Sequence, residues 1–210
     1  EAAGMISQME FVRRVDVQAE TIERYVREGK LVPDLVVPMS EHRTFKYFRE
    51  ESLLKYADQY GWTLIDDTNR KDLFLDMIRQ MDMSYSYKPV LIKAILLYAD
   101  DKGRVKLEDI VSYFKFFYED RRASGLFVEK KNSIFAKGGY TDKEAERNIL
   151  SNPFKRFEDM QMLRHTKTLG IIQVEETVWK HLTKDEKDEI GRICDDKLQH
   201  YYLAQEGKVV

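Results

Sequence analysis

Apolar residues in this chain recur at helical spacing along most of its length and at strand spacing in two short places. Met9, Phe11 and Val12 mark a first short helix between Ile6 and Val15, before the turn Arg14-Val15-Asp16. From Val17 to Leu31, Ile22 and Val26 stand four apart and share a side with Tyr25, while Gln18, Arg24 and Arg27 fall on the solvent side. Gly29 suits the C-terminal cap of this second helix, Lys30 the carbonyl end of its dipole, and Pro33 prevents it from resuming. Leu35-Val36-Val37, the polar reversal Pro38 to Arg43, and the alternating Thr44-Phe45-Lys46-Tyr47-Phe48 predict a hairpin, or wing. A further helix over Glu50 to Tyr60 places Leu53, Leu54 and Tyr56 towards one side and ends at Gly61. Helix, turn, helix, hairpin and helix thus fit within about sixty residues, near the lower size limit for a domain that folds alone.

The polar cluster Asp66-Asp67-Thr68-Asn69 reads as a connector, and a second domain is expected to begin there. Leu73, Phe74, Met77 and Ile78 make Lys71 to Met81 a helix. Ser86-Tyr87-Lys88-Pro89 opens another, whose Val90, Ile92, Ala94, Ile95, Leu96 and Leu97 are apolar nearly all round, which places it at the centre of the core. After the reversal Asp100-Asp101-Lys102-Gly103, a helix over Leu107 to Glu119 carries Ile110, Val111, Phe114, Phe117 and Tyr118 on one face and ends in Arg121-Arg122. Ala123 to Tyr140 is polar and glycine-punctuated. Thr141 with Glu144, and Thr183 with Glu186, have capping-box spacing, and Asn152-Pro153 marks a boundary. Met162 to His165 pairs with Ile171 to Val174 across Thr166 to Gly170, a second hairpin that follows a helix. The last helix carries Ile190, Ile193, Cys194 and Leu198 inward and frays after Tyr202. No internal repeat is present. The expected fold class is mainly α with short β-hairpins, in two winged-helix-like domains over residues 1–65 and 66–210.

Composition narrows the function classes. In 210 residues, 43% are hydrophobic and 12% aromatic, enough for a real core and too much for disorder. The formal net charge of -2 provides no global attraction for a polyanion, so a nucleic-acid surface has to be a local patch. The lone Cys194 excludes an internal disulfide and suits a reducing compartment, so a cytoplasmic location is expected. No apolar run approaches the roughly 18 residues of a membrane span, and the first residues lack the pattern of a signal peptide. The start at Glu1 rather than Met is read as the mark of a piece of a longer protein.

The first sixty or so residues resemble the MerR and excisionase-like winged helix-turn-helix families, on Glu20 to Leu31, the hairpin, and Phe48-Arg49-Glu50-Glu51-Ser52-Leu53. In such families the second helix enters the major groove of DNA and the wing reaches the flanking backbone. The resemblance implies that Gln18, Thr21, Arg24 and Arg27 face duplex DNA, with Lys30 at the helix end and His42, Arg43 and Lys46 on the wing near phosphates. Glu23 departs from the pattern, since MerR-type recognition helices usually carry arginine there; a carboxylate repels phosphate but accepts from a cytosine amino group. Ser86 to Ile92 and Asn152 to Met160 resemble accessory regions of bacterial helicase-like and restriction-type proteins. That resemblance implies a DNA-engaging, non-catalytic tail with a helicase domain upstream in the same polypeptide. A free-standing MerR-like regulator and a protein-interaction module without DNA binding are the alternatives, and the oligomeric state is open.

Arg121, Arg122, Lys130, Lys131 and Lys137 form a second basic candidate, read either as a phosphate contact or as a flexible solvated loop, with Phe127 and Phe135 packing inward or serving as stacking platforms. Glu129-Lys130-Lys131 has the Glu-x-Lys spacing of a metal-dependent nuclease, with Asp120 upstream; in a chain this charged it reads instead as a solvated loop. No phosphate-cradling Gly-x-x-x-x-Gly-Lys-Ser/Thr sequence occurs. The histidines His42, His165, His181 and His200 lack neighbours at zinc spacing, so neither metal nor cofactor is expected. Cys194, among Ile190, Ile193 and Leu198, reads as a buried small hydrophobe.

Overall fold

The computed structural model describes residues 4–40 and 43–207, and within them the chain is mainly helical, with two small three-stranded antiparallel sheets. It divides into two compact units, Glu1–Arg70 and Lys71–Val210, each with its own core.

The first unit runs β1 (Ile6–Ser7), α1 (Gln8–Arg13), α2 (Ala19–Arg27), β2 (Leu35–Ser40), β3 (Arg43–Phe48) and α3 (Glu50–Tyr60). The strand β1 is a feature that apolar spacing did not indicate: Ile6 and Ser7 pair antiparallel with Phe48 and Tyr47, making the sheet order β1-β3-β2. Ser7 also caps α1, its hydroxyl accepting from the Glu10 amide at 3.1 Å. Phe11, Ile22, Leu31, Phe48 and Leu53 are fully buried and form the centre of this core, while Met9 and Leu54, expected on apolar faces, are exposed. The expected turn at Arg14-Val15-Asp16 and the connector after Gly61 are sewn together. Asp16 exchanges bonds with Thr63 at 3.1 and 2.8 Å, and the Ile65 amide reaches the Arg14 carbonyl at 2.9 Å. This stitching holds Trp62 against Phe11, Tyr25 and Tyr60.

In the second unit, α4 (Arg70–Arg79) is followed by α5 (Tyr87–Tyr98), β4 (Arg104–Lys106), α6 (Leu107–Ala123), α7 (Ile134–Lys137) and α8 (Asp142–Ile149). A kinked turn over Leu150–Phe154, with extended backbone at Asn152, leads to α9 (Lys155–Asp159), β5 (Leu163–Thr166), β6 (Ile171–Val174), α10 (Glu176–His181) and α11 (Lys184–Glu206). The apolar helix α5 is central, packed against both α6 and α11. Both capping boxes form, at Thr141 with Glu144 and at Thr183 with Glu186. The hairpin β5–β6 takes in β4 as a third strand, in the order β4-β6-β5, so the reversal at Asp100 feeds a strand before α6. Gly103 makes that approach possible: its φ is +72°, and a Cβ there would lie 2.6 Å from the Trp179 ring. Two helices outrun their expected ends. The helix α6 continues to Ala123, and α11 does not fray after Tyr202 but reaches Glu206, because the buried rings of Tyr201 and Tyr202 anchor its last turns.

Candidate nucleic-acid interface

Helix α2 begins at Gln18, whose side chain makes no cap bond, and ends in a full Schellman arrangement. The amides of Gly29 and Lys30 return to the carbonyls of Val26 and Tyr25 at 3.2 and 2.8 Å, with Gly29 at φ +70°. Only Ile22 is buried, and Tyr25 and Val26 are half-buried on the same side. Arg24 and Arg27 are exposed; Arg24 lies 5.5 Å from the centroid of the Tyr25 ring. Gln18 and Thr21 are half-buried. Lys30 is exposed but engaged, bonded to Glu28 at 2.7 Å and 5.1 Å from the Tyr25 ring. That bond holds the Glu28 carboxyl below its ordinary value and the Lys30 ammonium above its own. Glu20, Glu23 and Glu28 share the exposed side with the two arginines.

On the hairpin, Arg43 is exposed with its guanidinium 5.4 Å from the Phe45 ring, and Lys46 is half-buried opposite Val36. His42 lies outside the described residues. The base of the hairpin is tied to α3, where the Arg49 amide donates to Asp34 at 2.9 Å; although burial pushes the Asp34 carboxyl up, bonds from Ser52 and Arg49 hold it below its ordinary value. Arg49 is itself exposed at the start of α3, a cation the sequence reading passed over because it fell between hairpin and helix. Across the first unit ten Lys and Arg stand against thirteen Asp and Glu, so its exposed arginines sit in a net acidic body. An exposed guanidinium donates to phosphate oxygens or to base-edge acceptors, and this surface can do either only at those few points.

The second basic candidate is not a flexible solvated loop. Arg121 lies in the last turns of α6, with its guanidinium carbon 3.3 Å from the Tyr202 ring centroid, and its Nε donates to the Phe127 carbonyl at 2.8 Å. Arg122 pairs with Glu119 and donates to the carbonyls of Phe135 and Ala136 at 2.5 and 3.3 Å. The Lys130 ammonium donates to the Ser84 carbonyl at 2.6 Å. Lys131 and Lys137 are exposed. Phe135 is fully buried, and Phe127 is half-buried with its ring centroid 6.3 Å from that of Tyr202; neither is an open stacking platform.

Glu129, expected on solvated loop, is 4% exposed. One carboxylate oxygen accepts from the Ser86 amide at 2.9 Å and its hydroxyl at 2.6 Å; the other accepts from the Lys130 amide at 2.8 Å and from the Tyr201 hydroxyl. Tyr118 and Tyr202 bond the same Ser86 hydroxyl at 2.8 and 3.0 Å, and burial pushes both phenols well above their ordinary value. This closed network joins the start of α5, the middle of α6 and the end of α11. Its only sequence signal was the pair Tyr201-Tyr202 at a helical position where fraying was expected. Cys194 is fully buried, and burial pushes its thiol up to about 12, which suits a packed hydrophobe.

Among the described residues no group of three or more His, Cys, Asp or Glu is placed to hold a metal ion, and no helix is long and apolar enough to cross a membrane. No protein-family model, curated protein or solved structure matches the chain.

Proposed function

We propose that the chain is a non-catalytic module that contacts duplex DNA through its first unit, with Arg24 and Arg27 of α2 and Arg43 and Lys46 of the hairpin as the phosphate-facing groups. The observation that carries this reading is the exposure of α2: one buried side chain anchors it, and neither arginine is locked in an ion pair among the described residues, although both lie close enough to Glu28 to help hold its carboxyl below the ordinary value. The order of helix, helix, hairpin and helix around one small core supports it, as does its resemblance to the winged helix-turn-helix of MerR and excisionase-like proteins. Glu20 and Glu23 on the same side favour backbone contact over base reading. In this reading the chain serves as a DNA-engaging part of a helicase or restriction-type protein, the class that its second unit resembles.

Duplex affinity measured at two salt concentrations tests the reading. Arg24→Ala with Arg27→Ala is expected to weaken binding at low salt and to lower the salt slope by roughly two units, since each phosphate contact contributes about 0.9. Unchanged affinity in the double variant would overturn it. A second reading, a protein-contact module, is favoured by apolar side chains exposed along the hairpin, with Val36 and Phe45 on opposite faces of it: Val36, Met39 and Phe45 are 49, 61 and 38% exposed. Absence of duplex binding at low salt selects that second reading.

A further inference from the structure

The outer face of the second unit's sheet is cationic. Along β4, Arg104 and Lys106 are exposed on either side of buried Val105; on β5 and β6, Leu163, Ile172 and Val174 turn inward. The register sets Arg104, Gln173 and Arg164 in one row across the three strands, and Lys106, Ile171 and Thr166 in the next. Strands are about 4.8 Å apart, so Arg104 and Arg164 stand about 10 Å from each other at the ends of their row. Lys102 precedes β4 and Lys167 follows β5, both exposed at the margins of the face.

Two of these five cations are already paired: Arg104 with Asp100 at 2.7 Å, and Lys106 with Glu108 at 3.3 Å, the second a solvated pair of little strength. Asp101 is exposed in the same turn as Lys102. Lys102, Arg164 and Lys167 have no carboxylate partner among the described residues. Arg164 is held in place instead: its guanidinium donates to the Gln173 side chain at 3.0 Å, and Gln173 in turn donates to the Lys102 carbonyl at 3.3 Å. That neutral clamp orients the guanidinium without neutralising it, which is what an anion-binding arginine requires.

We infer that this sheet face is a second phosphate-contacting surface, and that Lys102, Arg164 and Lys167 bind the backbone of duplex DNA there. The inference rests on the proposal that the chain engages duplex DNA, and it replaces the segment 121–137 as the second basic contact. The occupant follows from charge and from what the face lacks. Its outward side chains are Arg, Lys, Gln, Thr and Ile, with no aromatic ring on which an unpaired base could stack, so a single strand would gain no more than a duplex. Arg164 is fixed on β5 by its bond to Gln173, and Lys102 and Lys167 flank it from the tight turns beside β4 and β5, so a held guanidinium lies between two mobile ammonium groups along the face, an arrangement that a continuous row of phosphates can meet.

The test compares the full chain with three variants on one duplex and on a single strand of the same length, across a salt series. Lys102→Ala, Arg164→Ala and Lys167→Ala combined are expected to lower the duplex salt slope by roughly two to three units, with the thermal unfolding midpoint unchanged. A charge-matched control, Lys143→Ala with Lys180→Ala and Lys184→Ala, is expected to leave the slope near that of the unmodified chain. An unchanged slope in the sheet variant, an equal fall in the control, or a larger loss on the single strand than on the duplex overturns the inference. The third variant, Arg24→Ala with Arg27→Ala, separates the two surfaces. If it alone weakens binding, the sheet inference fails and the α2 reading stands; if only the sheet variant does, the α2 reading fails. No duplex binding at all by the unmodified chain removes both.

Discussion

Helix α2 and the segment 121–137 look alike as strings of residues, each a short stretch with several cations, yet the fold treats them oppositely. The arginines of α2 reach into solvent, while Arg121, Arg122 and Lys130 donate to the carbonyls of Phe127, Phe135, Ala136 and Ser84. The difference lies in the backbone beside them. Within α2 the carbonyls are satisfied by the helix and its Schellman end, so its two arginines are not drawn in to cap backbone, and the carboxylates beside them, Glu20, Glu23 and Glu28, are themselves exposed. The carbonyls that Arg121, Arg122 and Lys130 reach lie instead at Phe127 in irregular chain, at Phe135 and Ala136 in the single-turn helix α7, and at Ser84 before α5, where no long helix or sheet ladder provides donors. Long cationic side chains supply them. A basic cluster next to irregular, half-buried backbone is therefore a structural element, whereas one on a complete helix is available to a partner.

The sharpest way to break this comparison is to remove the anchor of the segment. Glu129→Ala leaves the Ser86 amide and hydroxyl, the Tyr201 hydroxyl and the Lys130 amide without their acceptor in a buried site. Unsatisfied buried donors cost about 1–3 kcal/mol each before relaxation, so a loss on the order of 3–5 kcal/mol is expected in urea denaturation of the full chain. Glu129→Gln keeps the size but turns an amide donor towards other donors, and most of the same loss is expected. A loss below about 1 kcal/mol in both variants would show that the segment is solvated after all.

A smaller effect separates the arginines themselves. Arg122→Ala removes two carbonyl bonds and an ion pair, and Arg121→Ala removes a guanidinium stacked on Tyr202; each is expected to cost about 1–3 kcal/mol. Arg121→Lys should not restore the loss, because an ammonium lacks the plane that lies against the ring. Arg24→Ala and Arg27→Ala are expected to change stability by less than about 0.5 kcal/mol, as exposed helix positions do. Equal losses at the two places would erase the distinction between committed and available cations.

Much of the architecture was legible because its signals are local. Ser86-Tyr87-Lys88-Pro89 and the apolar run after it define α5, and the spacings Thr141 to Glu144 and Thr183 to Glu186 define two helix starts that form as capping boxes. What escaped depends on partners far along the chain. Ile6-Ser7 is too short to show a period and becomes a strand only because β3 lies beside it. Arg104-Val105-Lys106 has strand alternation, but three residues after a tight reversal looked like the reversal itself. The basic sheet face was hidden for the same reason, since Arg104 and Arg164 are sixty residues apart and meet only through the register of β6. Glu129 escaped because a carboxylate between a valine and two lysines carries no mark of burial; its donors come from residues 86, 130 and 201.

The smallest expected effect is also a direct test of the rule drawn from the two regions. Lys131 and Lys137 belong to the segment by sequence but are exposed, and among the described residues neither donates to a backbone carbonyl as Lys130 and the two arginines do. If local backbone need decides the role of a cation, these two should behave like Arg24 and Arg27 in stability, with Lys131→Ala and Lys137→Ala each within about 0.5 kcal/mol of the unmodified chain. They should differ from α2 in binding, since they flank a surface whose other cations are already bonded; duplex affinity at low salt should fall less in Lys131→Ala with Lys137→Ala than in Arg24→Ala with Arg27→Ala. Urea denaturation and a low-salt titration on the same two double variants measure both halves. A stability loss at the lysines would mean that the whole segment acts as a unit regardless of which carbonyls are reached, and an equal loss of affinity would return the segment to the DNA-facing surface.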